Sequence, residues 1–147
     1  MSHIKRSALV NYSPAEMYAL VNDVLRYPEF LPWCKSSELL SETDTEMEAS
    51  IEIARGPLNK KFTTHNHLKK DQQIKIELVK GPFKTLHGAW DFHPLKKAEA
   101  CKIELDLVFE FDSSLVSIAV KPVFTQIANS LVDAFTRRAV EVYGERD

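Results

Sequence analysis

Five histidines are the residues whose type and spacing could do chemistry in this chain of 147 residues. His65 and His67 stand two apart on a strand-like stretch, so their side chains point the same way. Their phase is opposite to that of Phe62, Thr64 and Leu68, which turns them toward solvent. His87, Asp91 and His93 share the outward phase of another strand, opposite Leu86, Trp90 and Phe92. A zinc site needs a third ligand at a workable spacing, and neither group has one along the chain. A catalytic His87–Asp91 pair would have to turn inward, which only a bulge at Gly88 could bring about. There is no Gly-rich phosphate loop and no nucleophile elbow. No catalytic residue and no metal ligand set is therefore expected, and function is sought in what the chain can hold.

The elements that position these residues are legible from apolar periodicity. From Met47 to Phe111 apolar residues recur mainly at every second position, and strands are expected at about 35–43, 45–55, 58–69, 73–80, 84–94 and 100–111. A first strand runs from His3 to Val10. Turn signals separate several of the strands, among them Arg55-Gly56-Pro57, Gly81-Pro82 and Lys96-Lys97. Ser13-Pro14-Ala15-Glu16 is a helix start, with a capping serine, proline at the first helical position and Glu16 completing a capping box. The segment Tyr27-Pro28-Glu29-Phe30-Leu31-Pro32-Trp33-Cys34 is too proline-rich for a long helix, so a short helical turn with Phe30 and Trp33 packed inward is expected. After Lys121 the period changes. Phe124, Ile127, Ala128, Leu131, Phe135, Ala139 and Val142 mark one face of a helix from Pro122 to Tyr143, stopped by Gly144.

A long antiparallel sheet covered by one helix can enclose an apolar hollow. The inward phase supplies its candidate lining from the strands: Phe62, Leu86, Trp90, Phe92, Leu107 and Phe109. Phe124, Ile127, Leu131 and Phe135 face it from the helix, and Phe30 and Trp33 stand near its mouth. Gly88 removes a side chain from the same face, as a glycine does at a bulge or where a ligand or backbone comes close. Thr64, Asn66 and Cys101 could add polar or soft contacts. Each of these residues could equally serve only to fill a core.

Composition allows one domain, 1–147, with no disordered tract and no apolar run near the roughly 20 residues of a membrane span. The N-terminus lacks the apolar stretch of a signal peptide, so the cytosol is the expected compartment. Cys34 and Cys101 stand in no metal-type spacing, and Cys101 reads as a small core residue. Net charge is −2, yet residues 55–97 carry ten Lys/Arg against three acids. Lys60, Lys61, Lys69, Lys70, Lys96 and Lys97 could form a basic surface for RNA or a membrane face. Alternatively Glu46, Glu48 and Glu52 neutralise it across a strand pair.

Leu20-Val21-Asn22-Asp23-Val24 followed by the Tyr27–Cys34 run resembles the entry motif of the coenzyme Q–binding START-like family, which includes bacterial RatA/PasT-type members and mitochondrial coenzyme Q–binding chaperones. Leu78 to Phe92 is similar to that family's central hairpin, and Phe109-Glu110-Phe111 and Leu131 to Ala139 also match. The resemblance implies an α+β helix-grip (START/Bet v 1-like) fold: a seven-stranded antiparallel curved sheet around a long C-terminal helix, with short N-terminal helices. It implies no catalytic residues. It also implies a ligand rather than a resident cofactor, namely ubiquinone or a similar isoprenoid quinone bound in support of respiration, with peripheral contact at the inner membrane. A second implied function is that of a toxin binding the large ribosomal subunit and hindering subunit association. A third, cyclase-like chemistry on a polyketide, would need an inward acid–base group. The mitochondrial members carry a targeting extension not seen here, which favours a bacterial protein. Oligomeric state is left open.

Overall fold

A computed structural model describes residues 1–97 and 99–146. Among these, seven strands form one antiparallel sheet: β1 (Ser2–Val10), β2 (Cys34–Glu42), β3 (Glu46–Arg55), β4 (Leu58–Lys69), β5 (Gln73–Lys80), β6 (Phe83–Pro94) and β7 (Cys101–Phe111). The helices are α1 (Pro14–Asn22), α2 (Tyr27–Phe30) and α3 (Val120–Tyr143), with a 3-10 turn at Val24–Arg26. The spatial order is β1-β7-β6-β5-β4-β3-β2, so β2 to β7 make a meander and β1 returns to pair with β7. Every expected strand is present to within about two residues at its ends.

β7 shows why the sheet has one dry face. Cys101, Ile103, Leu105, Leu107 and Phe109 are buried while the residues between them are half-buried. Its register with β6 runs unbroken from Leu86 opposite Phe109 to Pro94 opposite Cys101, and the irregularity lies between Phe83 and Thr85 instead. No bulge at Gly88 reverses the parity, so His87 and Asp91 stay on the outer face. The space at Gly88 is claimed by β7 itself. A Cβ there would stand 2.9 Å from Leu107 Cα and closer still to the Asp106 carbonyl oxygen.

α1 begins as its capping residues dictate. Ser13 Oγ accepts from the Glu16 N–H at 3.1 Å and Glu16 Oε1 accepts from the Ser13 N–H at 2.9 Å. Glu16 also receives both Arg146 Nη atoms, at 2.7 and 2.8 Å, while the Tyr143 hydroxyl donates to the Glu16 carbonyl at 3.0 Å. The far end of α3 is thereby tied to the start of α1. The Arg146 guanidinium holds the Glu16 carboxyl down from 4.5 to about 2. Because the folded-state value lies below the unfolded one, this stabilisation is whole above about pH 4.5 and is lost as pH falls toward 2. Glu16→Gln should therefore flatten the fall of the thermal midpoint across that window, followed by circular dichroism. A variant whose midpoint still falls as steeply as the parent's would place the acid sensitivity elsewhere.

α3 begins at Val120, two residues before the expected Pro122, and includes Lys121 despite the proline that follows. Pro122 is its third residue, within the first turn, where the missing N–H has no intrahelical partner to lose. Val120 is buried, and that burial offsets the bias of a pre-proline residue away from helix. Gly144 ends the helix at φ 85°. Val142, expected on the buried face, is 49% exposed. The buried stripe ends at Ala139, and Tyr143 packs on Tyr12 instead, ring centroids 5.9 Å apart. Cys34 and Cys101 are free and buried, and burial pushes both thiols up to about 11.

Candidate ligand-binding cavity

Between the concave face of the sheet and α3 lies a cavity of about 100 Å³. β3 contributes Ala49, Ile51 and Ile53, and β4 contributes Phe62, Thr64 and Asn66, each at the two-residue period of a strand. Ile76, Leu86, Trp90 and Leu107 form the floor. α3 covers it with Phe124, Ile127, Ala128, Leu131 and Phe135, one face of a helix. Val24, Tyr27 and Trp33 close the remaining side.

Nine of the thirteen residues expected from sequence stand on this wall: Trp33, Phe62, Leu86, Trp90, Leu107, Phe124, Ile127, Leu131 and Phe135. Four lie elsewhere. Phe92 packs edge-on against Tyr18 of α1 at 5.7 Å, and Phe109 sits behind the wall, beside Phe124 at 4.8 Å in a phenylalanine cluster. Phe30 lies outside the wall, 5.4 Å from the Phe135 ring and under the Arg138 guanidinium at 4.8 Å. Gly88 is pressed against β7. Cys101 is fully buried and does not reach the cavity. Sequence reasoning passed over the β3 residues although their alternation was legible. It also left Ala128 off the lining, yet Ala49 and Ala128 are the small side chains that leave the space.

About 100 Å³ is the volume of some three water molecules, so a ring with a tail enters only if part of the wall moves. Phe135 is the packing hub, with Tyr27, Phe30 and Trp90 all edge-on to it at 5.4–5.5 Å. The segment Tyr27–Trp33 closes one side of the cavity. The Trp33 carbonyl accepts from the Ala54 N–H at 2.9 Å, which fixes one end. The Tyr27 hydroxyl donates to the Val21 carbonyl, which fixes the other, and burial pushes that phenol well above its ordinary value. Between these anchors the segment is tied to α3 by a surface ion pair, Arg138 Nη2 to Glu29 Oε1 at 2.9 Å. Arg138, with help from Arg26, holds the Glu29 carboxyl below the usual carboxylate range.

Among the described residues, Tyr27 is the one ionisable group on the wall, and its hydroxyl is already committed. Three of the histidines stand on the wet face beside carboxylates: His65 by Glu46 at 3.0 Å, His67 by Glu77 at 3.3 Å and His93 by Glu104 at 3.5 Å. The third group missing from the linear spacing comes across the strand pair. Glu46, opposite His67, brings ligand-capable atoms of Glu46, His65 and His67 within 4.8 Å of one another. Gln73 Nε2 donates to Asp91 at 2.7 Å.

Lys60, Lys61, Lys69, Lys70, Lys96 and Lys97 are all exposed, but they form two groups. Lys60 and Lys61 lie at the start of β4, roughly 30 Å from Lys69 and Lys70 at its end. Lys96 and Lys97, in the β6–β7 turn, share the latter end of the meander. Glu52 pairs opposite Lys61 as expected, whereas Glu48 and Glu46 face His65 and His67 rather than lysines.

A curved antiparallel sheet gripping a C-terminal helix over an apolar cavity defines a START-like, helix-grip domain. Residues 10–136 match the family described as polyketide cyclase / dehydrase and lipid transport, and the chain belongs to that family. The ribosome association toxin RatA of Vibrio cholerae is 48% identical over 145 residues, covering 99% of this chain and 100% of the relative. Coenzyme Q-binding protein COQ10 homolog B, mitochondrial, of Xenopus laevis is 27% identical, covering 96% of this chain and 59% of that protein. The crystal structure of the Zhui aromatase/cyclase from Streptomyces sp. R1128 superposes with a TM-score of 0.77 at 18% identity, covering 99% of each chain; this likeness is one of fold. Among the described residues no helix is long and apolar enough to cross a membrane.

Proposed function

We propose that the protein holds a polyprenyl quinone, ubiquinone or a similar isoprenoid, between its sheet and α3, and supports quinone function in respiration. The observation that carries this reading is the apolar cavity between the sheet and α3, closed on one side by the Tyr27–Trp33 segment. The Xenopus laevis relative named for coenzyme Q binding supports the choice of guest. Each methylene buried from water contributes about 0.8 kcal/mol, so even a partly enclosed tail binds well. Collecting such a guest from a bilayer calls for peripheral contact with the inner membrane by an otherwise cytoplasmic protein. The role in this reading is carriage rather than conversion, with the Tyr27 hydroxyl on the wall held by the Val21 carbonyl. Organic extraction of protein purified from a quinone-producing host, followed by mass spectrometry, should recover the quinone. Repeated recovery of none would reject the reading.

Opening of the Tyr27–Trp33 segment sets the exchange rate in this scheme. Arg138→Gln removes both the ion pair to Glu29 and the cation over Phe30. It should speed guest release several-fold in stopped-flow measurements while leaving the fold intact. An unchanged release rate would place the door elsewhere.

A second reading is favoured by the full-length 48% identity to a protein named as a ribosome association toxin. Docking on a ribosomal subunit would use the exposed lysines at the Lys69, Lys70, Lys96 and Lys97 end. Such binding should weaken steeply with salt in co-sedimentation. Absence of binding at low salt rejects it. Cavity and surface are different places, so the two functions can coexist.

A further inference from the structure

The outer face of the sheet carries a group of side chains that the cavity does not use. His65 and His67 follow each other at the two-residue period of β4, and their ring centroids are 4.9 Å apart. β3 sets Glu46 opposite His67 and Glu48 opposite His65, and β5 sets Glu77 opposite His65. Glu46 Oε1 stands 3.0 Å from His65 Nε2 and 3.9 Å from His67 Nδ1, so one carboxylate oxygen faces a nitrogen of each ring. The other nitrogen of each ring faces a carboxylate of its own. His65 Nδ1 is 3.9 Å from Glu48 Oε1, and His67 Nε2 is 3.3 Å from Glu77 Oε2. Among the described residues the three carboxylates meet these imidazoles, and no lysine or arginine, at ion-pair distance.

We propose that Glu46, His65 and His67 bind a divalent first-row transition ion, zinc being the type, with Glu48 and Glu77 orienting the two imidazoles. Zinc bonds of about 2.0–2.2 Å at tetrahedral angles set ligand atoms roughly 3.3–3.5 Å apart. The two Glu46 distances bracket that spacing, and ligand atoms of all three residues lie within 4.8 Å of one another, so small side-chain rotations close the set. A metal-bound imidazole binds through one nitrogen and donates its other N–H, commonly to a carboxylate that fixes the ring. Both histidines have that further carboxylate beside them. Two imidazoles with a carboxylate suit zinc, nickel or copper rather than magnesium or calcium. The local charge also calls for a dication: three carboxylates stand against the single ammonium directly opposite, that of Lys75. The ligands are half-exposed, so the ion arrives from solvent and keeps water in its remaining positions. It braces β3 to β4 on the face away from the cavity, independently of what the cavity holds.

The test is calorimetric titration of the full chain, free of any affinity tag, with zinc chloride. The wild-type protein should take up one equivalent. Glu46→Gln, His65→Gln and His67→Gln should each weaken binding by more than about tenfold, and Glu48→Gln and Glu77→Gln by about tenfold. His93→Gln, which removes a ring standing beside Glu104, should leave the affinity unchanged. Zinc should also raise the thermal midpoint of the wild type and not that of Glu46→Gln. No uptake by the wild type overturns the inference, as does uptake that survives the loss of both histidines. Displacement of zinc by millimolar magnesium overturns it too, because the carboxylates alone would then be attracting dications. Wild-type affinity in both Glu48→Gln and Glu77→Gln overturns their orienting role. Glu46→Gln keeps the parent's shape and decides alone should a histidine variant fail to fold.

Discussion

Ala128→Leu is expected to make the protein more stable and, at the same time, unable to take up its guest. Ala128 is 1% exposed and projects from the middle of α3 into the cavity. Leucine adds three carbons to a space of about 100 Å³ and suits a helix interior almost as well as alanine does. Burying them should contribute about 1–2 kcal/mol, less whatever strain the fit introduces. The same carbons occupy the volume in which a ring or the first isoprene unit must begin to insert. Affinity for a short-tail ubiquinone should fall by at least about tenfold, a loss of some 1.4 kcal/mol or more. Thermal unfolding and ligand retention measured on one preparation separate these effects. A variant that is stabilised yet binds as before would mean that the guest sits elsewhere.

Gly88→Ala should act in the opposite sense, costing about 3 kcal/mol and lowering the thermal midpoint by roughly 6–12 °C. The added methyl would meet the carbonyl oxygen of Asp106 and the Cα of Leu107, backbone atoms that cannot rotate aside. Relief would have to come from parting β6 and β7, whose register is otherwise continuous from Leu86 to Pro94. If Gly88 instead made room for a ligand, alanine would weaken binding and leave stability alone. A denaturant titration beside a binding assay tells the two apart.

Much of the fold was legible because local chemistry and long-range packing agree. The Ser13–Glu16 capping box formed as its residues dictate, and β7 alternates in burial as its sequence alternates in polarity. Departures came where position along an element, rather than phase, decides the outcome. Phe92, Phe109 and Leu107 share the inward phase, but α1 covers the first and a phenylalanine cluster absorbs the second. Only Leu107 meets the cavity. Nothing in a strand's period says at what height a helix will cross it. The same limit applied to Val142, one turn too far along α3 to be covered. Ala49 and Ala128 were hard to foresee as lining because cavities are made by small side chains, while sequence reading follows the large ones. The Glu46–His65–His67 group was invisible along the chain because strand register, not spacing, assembles it.

The protein's two tryptophans, Trp33 and Trp90, both stand on the cavity wall, so its intrinsic fluorescence reports directly on occupancy. Titration with a short-tail ubiquinone should quench most of the emission saturably, at one equivalent, with the effect lost in Ala128→Leu. Quenching that stays weak and linear in added quinone, and identical in the leucine variant, would show that no guest enters between the sheet and α3.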